Sequence, residues 1–459
     1  MKELLSEKLY NLSRLTIKKT GFPLYVVGGF VRNFLICGQA LGDIDLAASV
    51  PAETFAAIAE EAGYFVAAVY KRTGTAVIVS EGEKYEYTSF RKEVYERGGG
   101  HSPVFTEPTL NIEEDALRRD FKCNAVYYDI CGGVITDVLG GIGDINAKVL
   151  NTVKEPEKVF ESDGLRLMRL ARFCGELGFS AGRETLAAAR KYADNIKDIS
   201  PERIFEELKK ILVSDEKYEF SDKAGHYTGL EVLSETRVLD RILPELTAGR
   251  GMAQRADYHK YDVLEHSLKT VYYADKEIRL AALFHDVAKP FCKINYGEYY
   301  GHAEVGAKMT KRILSALKAD KKTIKETEFL VGAHMLDLDC GESERKVRAF
   351  IAENYPLVPK LMALKQADFS AGKEEDGISP TVQKWRIILA KMQSDGTPFT
   401  LKDLNITAAE LIEIGFCGEE IGKELNKLVA LCREFPERNE KTCLSEKAEK
   451  DFANSQRSE

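Results

Sequence analysis

No apolar run in this 459-residue chain approaches the roughly 20 residues that a membrane-spanning helix needs, which argues against a transmembrane protein. The nine cysteines are dispersed without a C-x-x-C pair, which argues against a disulfide framework or a zinc ribbon and for reduced thiols. The N-terminus carries acidic residues and lacks the apolar core of a signal peptide. These absences predict a cytoplasmic protein.

Positive charge is also in short supply, because 65 lysines and arginines face 73 acidic residues, for a net charge of −8. Indiscriminate nucleic-acid binding usually needs a basic domain, so the balance argues against a DNA-binding protein. An RNA held by a local basic surface is still compatible with it. The runs Lys308–Arg312 and Lys318–Lys325 are candidates for such a surface, although charge runs are usually solvated helix faces.

Hydrophobic periodicity predicts mixed strands and helices in about the first 150 residues and almost only helices thereafter. Strands are predicted at 24–27, 43–47, 75–80, 84–91 and 134–138, and helices at 1–20, 29–37, 52–62, 111–119, 160–177, 183–195 and 201–212. We therefore predict an α+β protein with four regions: a mixed α/β head (1–150), a helical neck and body (151–250), a second helical domain (251–370) and a helical C-terminal region (371–459).

The most informative motif joins a glycine pair to two carboxylates. Gly28-Gly29 ends an apolar run and begins a helix, and Asp43 and Asp45 follow about a dozen residues after Arg32. Alternate residues of a strand share a face, so both carboxylates should point the same way. Alone, each element is usually a tight turn or a cap. Together they favour a site for Mg²⁺ and a triphosphate, because glycine N–H groups at a helix N-terminus bind phosphate and Mg²⁺ prefers carboxylate and phosphate oxygens.

Two arginine clusters extend this interpretation. Arg119 belongs to an Arg-Arg-Asp-Phe sequence, and Asp163, Arg166, Arg169 and Arg172 recur every third residue of one predicted helix. The opposite positions of this helix are apolar, namely Leu165, Leu167, Met168, Leu170 and Phe173. Surface ion pairs and a solvated stripe are the simpler explanations. A stripe between buried surfaces can instead line a cleft, where guanidinium groups suit phosphates and base edges.

These motifs, in this order, resemble the class II tRNA nucleotidyltransferase and bacterial poly(A) polymerase family over roughly residues 20–215. The resemblance implies an NTase-type head with helical neck, body and tail, and transfer of a nucleoside monophosphate from CTP or ATP to an RNA 3′-hydroxyl. By this resemblance Asp43 and Asp45 hold Mg²⁺, Gly28, Gly29, Arg32 and Arg119 contact the triphosphate, Asp163 and Arg166 read the incoming base, and Arg169 and Arg172 steady the nucleotide.

Three positions depart from the family pattern. Asn33 and Lys122 stand where the family usually has Asp and Thr, and Ser162 stands where the base-reading motif usually has Glu. None of these changes removes a metal ligand or a triphosphate arginine, so we expect an active head. The loop 92–108 is the expected determinant of base preference, and its composition leaves open complete CCA addition, A addition alone, or poly(A) synthesis.

Histidines form the second cluster, because five of the seven lie between His259 and His334. Imidazole with carboxylate suits Fe, Mn, Co, Ni or Zn. The adjacent His285-Asp286 pair and the surrounding pattern resemble the HD-domain phosphohydrolase superfamily over about 255–370, which implies metal-dependent hydrolysis of phosphoesters. The residues that would hold this divalent transition metal are His266, His285, Asp286, His302, His334 and Asp368. His259 is interpreted as a core or rim residue.

We therefore predict a tRNA nucleotidyltransferase that uses two-metal catalysis to add CMP and AMP from CTP and ATP to the tRNA 3′ end, with HD-type phosphohydrolase activity. A poly(A) polymerase or A-adding enzyme is the first alternative. A phosphohydrolase whose head only binds nucleotide is the second, and a non-catalytic RNA-binding protein is the third. Retention of the expected ligands in both clusters argues against the last two.

Overall fold

The computed structural model describes residues 1–94, 100, 105–254, 260–373 and 377–456. His259 and most of the loop 92–108 lie outside these residues. The chain divides into two compact units, one of Met1–Thr247 with Ser315–Ala319 and the other of Ala248–Leu314 with Asp320–Glu459. Within the described ranges, no helix is both long enough and apolar enough to cross a membrane. The four predicted region boundaries remain predictions.

All strands among the described residues belong to the first unit. They are β1 (Tyr25–Val27), β2 (Ile44–Ala48), β3 (Phe65–Tyr70), β4 (Thr75–Ser80), β5 (Glu83–Ser89), β6 (Arg91–Val94), β7 (Phe105–Pro108), β8 (Tyr127–Asp129), β9 (Ile135–Thr136), β10 (Val149–Leu150) and β11 (Ser180–Ala181). Seven of them form a mixed sheet in the order β3-β4-β5-β2-β1-β8-β9. In this sheet β1 is antiparallel to β2 and β8, whereas β2 is parallel to β5.

Helices of the head cover this sheet and bury its apolar side chains. They are α1 (Glu7–Thr20), α2 (Gly29–Cys37), α3 (Ala52–Glu61), α4 (Ile112–Leu117) and α5 (Gly141–Ala147). Ser6 caps α1 by accepting a hydrogen bond from Leu9 N, and Gly21 ends it in the left-handed conformation. Phe55 of α3 stacks on Tyr87 of β5, with ring centroids 3.7 Å apart. The mixed α/β head predicted from the sequence is confirmed.

The rest of the first unit is almost wholly helical. Its helices are α6 (Pro156–Ser162), α7 (Leu165–Leu177), α8 (Arg183–Lys191), α9 (Pro201–Leu212), α10 (Gly225–Glu235), α11 (Leu239–Ile242) and α12 (Pro244–Thr247). Leu167, Met168 and Leu170 on α7 are buried, and α7 packs against α9 and α10. The predicted helical character of this region is therefore confirmed.

The second unit is helical throughout its described residues. Its helices are α13 (Val263–Tyr273), α14 (Arg279–Phe284), α15 (Lys289–Tyr296), α16 (His302–Ala316), α17 (Lys321–Ala333), α18 (Glu344–Asn354), α19 (Val358–Lys373), α20 (Pro380–Ser394), α21 (Ala408–Ile414), α22 (Glu419–Glu434) and α23 (Lys441–Gln456). Helices α21 to α23 have a core of their own around Leu411, Leu428 and Leu444.

Three local predictions were wrong, and one strand was missed. The helix predicted at 160–177 is interrupted, because Asp163 is extended and Gly164 lies against the backbone of Asn195. The strand predicted at 84–91 ends at Ser89, after which β6 leaves the main sheet and pairs with β7. The helix predicted at 183–195 ends at Lys191. Strand β3 was not predicted, because its alternation is weak at this sheet edge, where Phe65 and Tyr70 are exposed.

Candidate functional site

One cavity in the first unit brings together all ten residues selected for magnesium and nucleotide binding. It has a volume of about 900 Å³. The N-terminal end of α2 and helix α7 supply much of its wall, with further residues from β2, β6 and α9. The selected residues that line it are Gly28, Gly29, Arg32, Asp43, Asp45, Arg119, Asp163, Arg166, Arg169 and Arg172. The cavity therefore brings Asp43 and Asp45 together with a set of arginine side chains.

The two aspartates lie where the chain enters the sheet. Asp45 is within β2 and pairs in register with Val27, whereas Asp43 precedes the strand, so the prediction that a strand carries both carboxylates was wrong. Gly28 has φ +83°, and a Cβ atom there would lie 3.4 Å from Asp45 Oδ2. Glycine therefore allows the backbone before α2 both its conformation and its close approach to this carboxylate.

Glu86 is an acidic neighbour that the sequence analysis missed. It lies on β5 in register with Asp45 across the parallel β2–β5 pair, and both residues are exposed. Alternation within the predicted strand 84–91 could have indicated its face, but the pairing of β2 with β5 comes only from the fold. One cluster of carboxylates thus comprises Asp43, Asp45 and Glu86.

The pKa of Asp45 is raised to about 6. Although Asp45 is exposed at the cavity surface, the surrounding protein atoms partly desolvate its carboxylate, which is the largest cause, and the negative charges of Glu86 and Asp43 act in the same direction. Arg119 opposes the shift. A divalent cation would relieve this repulsion, so the donor set fits Mg²⁺, which binds carboxylate oxygens.

The two arginines assigned to the triphosphate are anchored by polar side chains. Arg32 is buried, and its Nη1 donates to Asn124 Oδ1 at 2.6 Å. Arg119 Nε donates to the Tyr127 hydroxyl at 3.1 Å, and its Nη2 lies 3.2 Å from Asp115 Oδ2. These contacts already fix both guanidinium groups at the cavity wall, so binding of a triphosphate would not have to order flexible side chains.

Helix α7 presents the base-reading candidates. The Asp163 carboxylate accepts a hydrogen bond from Leu165 N at the start of α7 and lies 3.7 Å from Arg166 Nε. Arg166 Nη2 donates to the carbonyl of Arg118 at 2.6 Å, and its Nη1 donates to Ser162 Oγ at 3.2 Å. A serine hydroxyl therefore supports Arg166 where the family usually has a glutamate.

The two remaining arginines of the stripe are paired with acids. Arg169 donates from Nε and Nη2 to Asp120 Oδ2 at 2.7 and 2.5 Å. Arg172 lies 3.3 Å from Glu207 and 3.8 Å from Glu176. Burial raises the pKa of the Asp120 carboxyl, but Arg169 and hydrogen bonds outweigh it and hold that pKa well below its ordinary value. Sequence reasoning named Asp120 only as part of a motif and did not identify it as the partner of Arg169.

The second unit brings the six predicted HD-site residues together as two triads. His266, His285 and Asp368 form one, and Asp286, His302 and His334 form the other, with ligand atoms of each triad within 4.8 Å of one another. Asp286 connects them, because its Oδ2 lies 3.2 Å from His285 Nε2 and its Oδ1 lies 3.2 Å from His302 Nε2.

Backbone carbonyls orient three of the imidazole rings. The Nδ1 atoms of His285, His302 and His334 lie 2.7, 2.8 and 2.7 Å from the carbonyl oxygens of Ala282, Tyr299 and Val331. Nδ1 must donate in these bonds, which leaves Nε2 as the ligand atom. The Nε2 atoms of His302 and His334 are 3.2 Å apart, and two acceptors at that distance repel unless they share a cation. The donor set therefore fits a pair of divalent metal ions.

Neighbouring charges shift the pKa values of two histidines in this cluster in opposite directions. Burial lowers the pKa of His285, but Asp286 and Asp368 outweigh it and raise the value to about 10. Burial and the charges of His285 and His302 lower the pKa of His334 to about 3. The two carboxylates thus favour positive charge at this cluster, which a bound divalent cation would also supply.

A cavity of about 1020 Å³ opens onto the triads. Lys289 and Lys365 line it and were not selected from the sequence. Lys289 Nζ lies 2.7 Å from Asp286 Oδ2, and Lys365 Nζ donates to the carbonyl of His334 at 2.6 Å. Spacing could have indicated Lys289, which is three residues after Asp286. The basic runs proposed as RNA contacts include Lys308 and Lys311, which pair with glutamates on the surface.

Three family descriptions match successive parts of the chain. Residues 24–151 match the Poly A polymerase head domain, residues 178–249 match the probable RNA and SrmB-binding site of polymerase A, and residues 263–354 match the HD domain. Their order along the chain is the order of the mixed head, the helical remainder of the first unit and the start of the second unit.

Similar proteins extend over most of the chain. The A-adding tRNA nucleotidyltransferase of Deinococcus radiodurans and the CC-adding tRNA nucleotidyltransferase of Thermus thermophilus are each 32% identical, over 365 and 367 residues. In both cases the match covers 76% of this chain and 76% of the relative. The structure of the Bacillus stearothermophilus CCA-adding enzyme in complex with CTP has a TM-score of 0.64 at 21% identity, covering 99% of this chain and 100% of that one. This structural likeness supports the same fold.

Proposed function

The chain belongs to the tRNA nucleotidyltransferase and poly(A) polymerase family, and from that premise we propose that it adds nucleotides from CTP and ATP to the 3′ end of tRNA. The observation that carries this proposal is the cavity in which Asp43, Asp45 and the arginines converge. Its carboxylate edge suits metal ions, and its cationic wall suits a triphosphate.

The reaction that we propose joins the tRNA 3′-oxygen to the α-phosphorus of the nucleotide, breaks the bond to the β-phosphate and releases pyrophosphate. Mg²⁺, when bound, would polarise the phosphoryl group and lower the pKa of the attacking hydroxyl. Asp43 and Asp45 would hold the metal, with Glu86 as a third carboxylate. Gly28, Gly29, Arg32 and Arg119 would hold the triphosphate, Asp163 and Arg166 would face the base, and Arg169 and Arg172 would steady the nucleotide.

The similar proteins differ in the bases that their names say they add, so they do not decide the base preference of this chain. A-adding and CC-adding relatives are equally identical to this chain, and CCA-adding enzymes are also among the similar proteins. We propose complete CCA addition or repair, with A addition alone, CC addition alone and poly(A) synthesis as alternatives. Labelled CTP and ATP, separately and together, would be offered to tRNA ending before, within and after CC. Two C additions and one A, then arrest, are expected.

Asp43→Ala is expected to reduce incorporation below about a tenth of the wild-type rate, because a metal would lose one of its carboxylates. The control is Asp198→Ala, which removes an exposed carboxylate outside the cavity. The readout is the initial rate at saturating nucleotide. Incorporation by Asp43→Ala above a tenth of the wild-type rate, with the control unchanged, would contradict the role of Asp43 as a metal ligand.

A second activity is favoured by the bridged triads of the second unit. We propose that two divalent metal ions bind there and that the site hydrolyses phosphomonoesters or phosphodiesters. Asp286 would contact both ions, and Lys289 would hold the Asp286 carboxylate in place. Phosphate-blocked RNA 3′ ends are the proposed substrates, because removal of the phosphate would leave a 3′-hydroxyl for nucleotide addition.

Replacing both His285 and Asp286 with alanine should remove bound metal and hydrolysis together, because each residue belongs to a different triad. Metal content by elemental analysis and hydrolysis of a 2′,3′-cyclic phosphodiester and a phosphomonoester are the measurements. Asp275→Ala, which removes an exposed carboxylate nearby in the sequence, is the control. Hydrolysis that persists after metal loss would sink this proposal.

A further inference from the structure

The side chain of Asn33 connects two parts of the candidate nucleotide site. It is fully buried on α2. Its Oδ1 accepts hydrogen bonds from Arg32 Nε at 3.1 Å and Arg32 Nη2 at 2.9 Å, whereas its Nδ2 donates to the carbonyl of Leu41 at 2.9 Å. The amide thus uses its acceptor on one side and its donor on the other.

The direct partners of Arg32 among the described residues are neutral. Besides Asn33, its guanidinium donates to Asn124 Oδ1 and to the Tyr218 hydroxyl, and it lies 5.1 Å from the centre of the Phe173 ring. The positive charge of Arg32 acts to lower the pKa of Glu176, but Glu176 forms its ion pair with Arg172. Arg32 therefore carries a positive charge into the cavity that no carboxylate in direct contact offsets.

The carbonyl of Leu41, to which Asn33 donates, belongs to the turn that precedes Asp43 and Asp45, the proposed metal ligands. Leu41 precedes Gly42, which has φ +96°, and Asp43 follows directly. A Cβ atom on Gly42 would lie 3.6 Å from Asn33 Nδ2, so the turn passes close to the amide. Holding the carbonyl of Leu41 limits where this turn can present Asp43.

An aspartate at position 33 could not make both contacts. It would accept from Arg32, but it would also place a carboxylate oxygen near the carbonyl oxygen of Leu41, where two acceptors repel. Its negative charge would form a buried ion pair with Arg32 and offset the charge available to a triphosphate. The amide avoids both consequences.

We propose that Asn33 is a positioning residue for nucleotidyl transfer, which leaves the charge of Arg32 available to the triphosphate and fixes the turn that carries Asp43. This inference rests on the proposed nucleotide addition. Asn33 stands where the family usually has aspartate, and by this inference the substitution contributes to the site of this chain and is not neutral.

Both variants below release the carbonyl of Leu41 and should lower kcat, but only Asn33→Asp places a carboxylate beside Arg32. Asn33→Asp is expected to raise the KM for CTP and ATP by about tenfold, because the charge of Arg32 is then offset. Asn33→Ala adds no charge, but it removes the acceptor for Arg32 and releases the carbonyl of Leu41, so kcat is expected to fall about tenfold with KM within about threefold of wild type, because a displaced catalytic group costs rate. Equilibrium binding of ATP to the tRNA-free enzyme with Mg²⁺ should weaken only in Asn33→Asp.

Asn426→Asp is the matched control, because it adds the same charge on the exposed surface of α22. An Asn33→Asp variant whose KM and ATP affinity stay within twofold of wild type overturns the inference, as does an equal shift in the control. If Asn33→Asp does not unfold cooperatively, Asn33→Ala decides, and an unchanged kcat overturns the role of the turn. A wild-type protein that incorporates no nucleotide overturns the proposed function itself.

Discussion

At the scale of single residues, the cationic wall of the nucleotide cavity is built from arginines that already have partners. Arg166 donates to a backbone carbonyl, and Arg169 and Arg172 pair with acids. Packed guanidinium groups lose little conformational entropy when a ligand arrives, so they can place hydrogen-bond donors accurately. Arg169 therefore has a structural role in addition to the one proposed for nucleotide binding.

Asp120→Asn should lower the free energy of unfolding by about 2 kcal/mol at pH 7, because it removes the charge that two Arg169 hydrogen bonds use. The native pKa of Asp120 is depressed, so its carboxylate stabilises the fold above the unfolded value near 3.8. That contribution is lost as the pH falls below this value toward the native pKa. Urea unfolding of both proteins between pH 3 and 7 measures the difference.

The difference between wild type and Asp120→Asn should shrink steadily below pH 3.8, because the unfolded wild type then gains a proton before the folded protein does. Asp198→Asn, an exposed site, is the control and should leave the unfolding free energy within about 0.5 kcal/mol. A difference that is independent of pH would show that Asp120 acts through packing alone.

At the scale of secondary-structure elements, the break between α6 and α7 decides how Asp163 and Arg166, the residues proposed to read the base, are presented. An uninterrupted helix would carry Asp163 and Arg166 as successive members of one stripe. Instead Asp163 is extended and accepts a hydrogen bond from the start of α7. A Cβ atom on Gly164 would lie 2.3 Å from the carbonyl oxygen of Asn195, so the close approach of two backbones requires glycine here.

Gly164→Ala should destabilise the protein by about 1–3 kcal/mol, because backbone atoms rather than a mobile side chain must move. Gly143→Ala is the matched control: Gly143 lies on α5 with open space around its Cα, and alanine there should be neutral or stabilising. Urea unfolding of both variants is the measurement. Equal stability of the two variants would contradict the close contact at Gly164.

At the scale of the whole molecule, the two candidate sites lie in different compact units. Every described residue that lines the proposed nucleotide cavity belongs to Met1–Thr247, and every described residue that lines the cavity at the two triads belongs to the second unit. The variant that lacks His285 and Asp286 should therefore retain more than half of the wild-type rate of nucleotide addition. Equal loss of both activities would indicate that the metal of the second unit is structural.

Much of the candidate site could be predicted because its residues are adjacent in the sequence or follow local periodicity. The glycine pair with Asp43 and Asp45, and the pair His285-Asp286, are local patterns whose chemistry depends on few distant contacts. The limits of α2 at Gly29 and Cys37 were likewise predictable, since a glycine stands at each end.

The amino-acid sequence by itself determined the mixed head, the helical remainder and the residues that could hold metal and phosphate, because composition and spacing act locally. Tertiary structure alone decided that Glu86 faces Asp45, that Asp120 pairs with Arg169 and that Asn33 joins Arg32 to Leu41. Asp286 likewise bridges two triads whose histidines come from four separate segments. Such contacts depend on how distant segments pack, and that packing is a cooperative property of the whole chain.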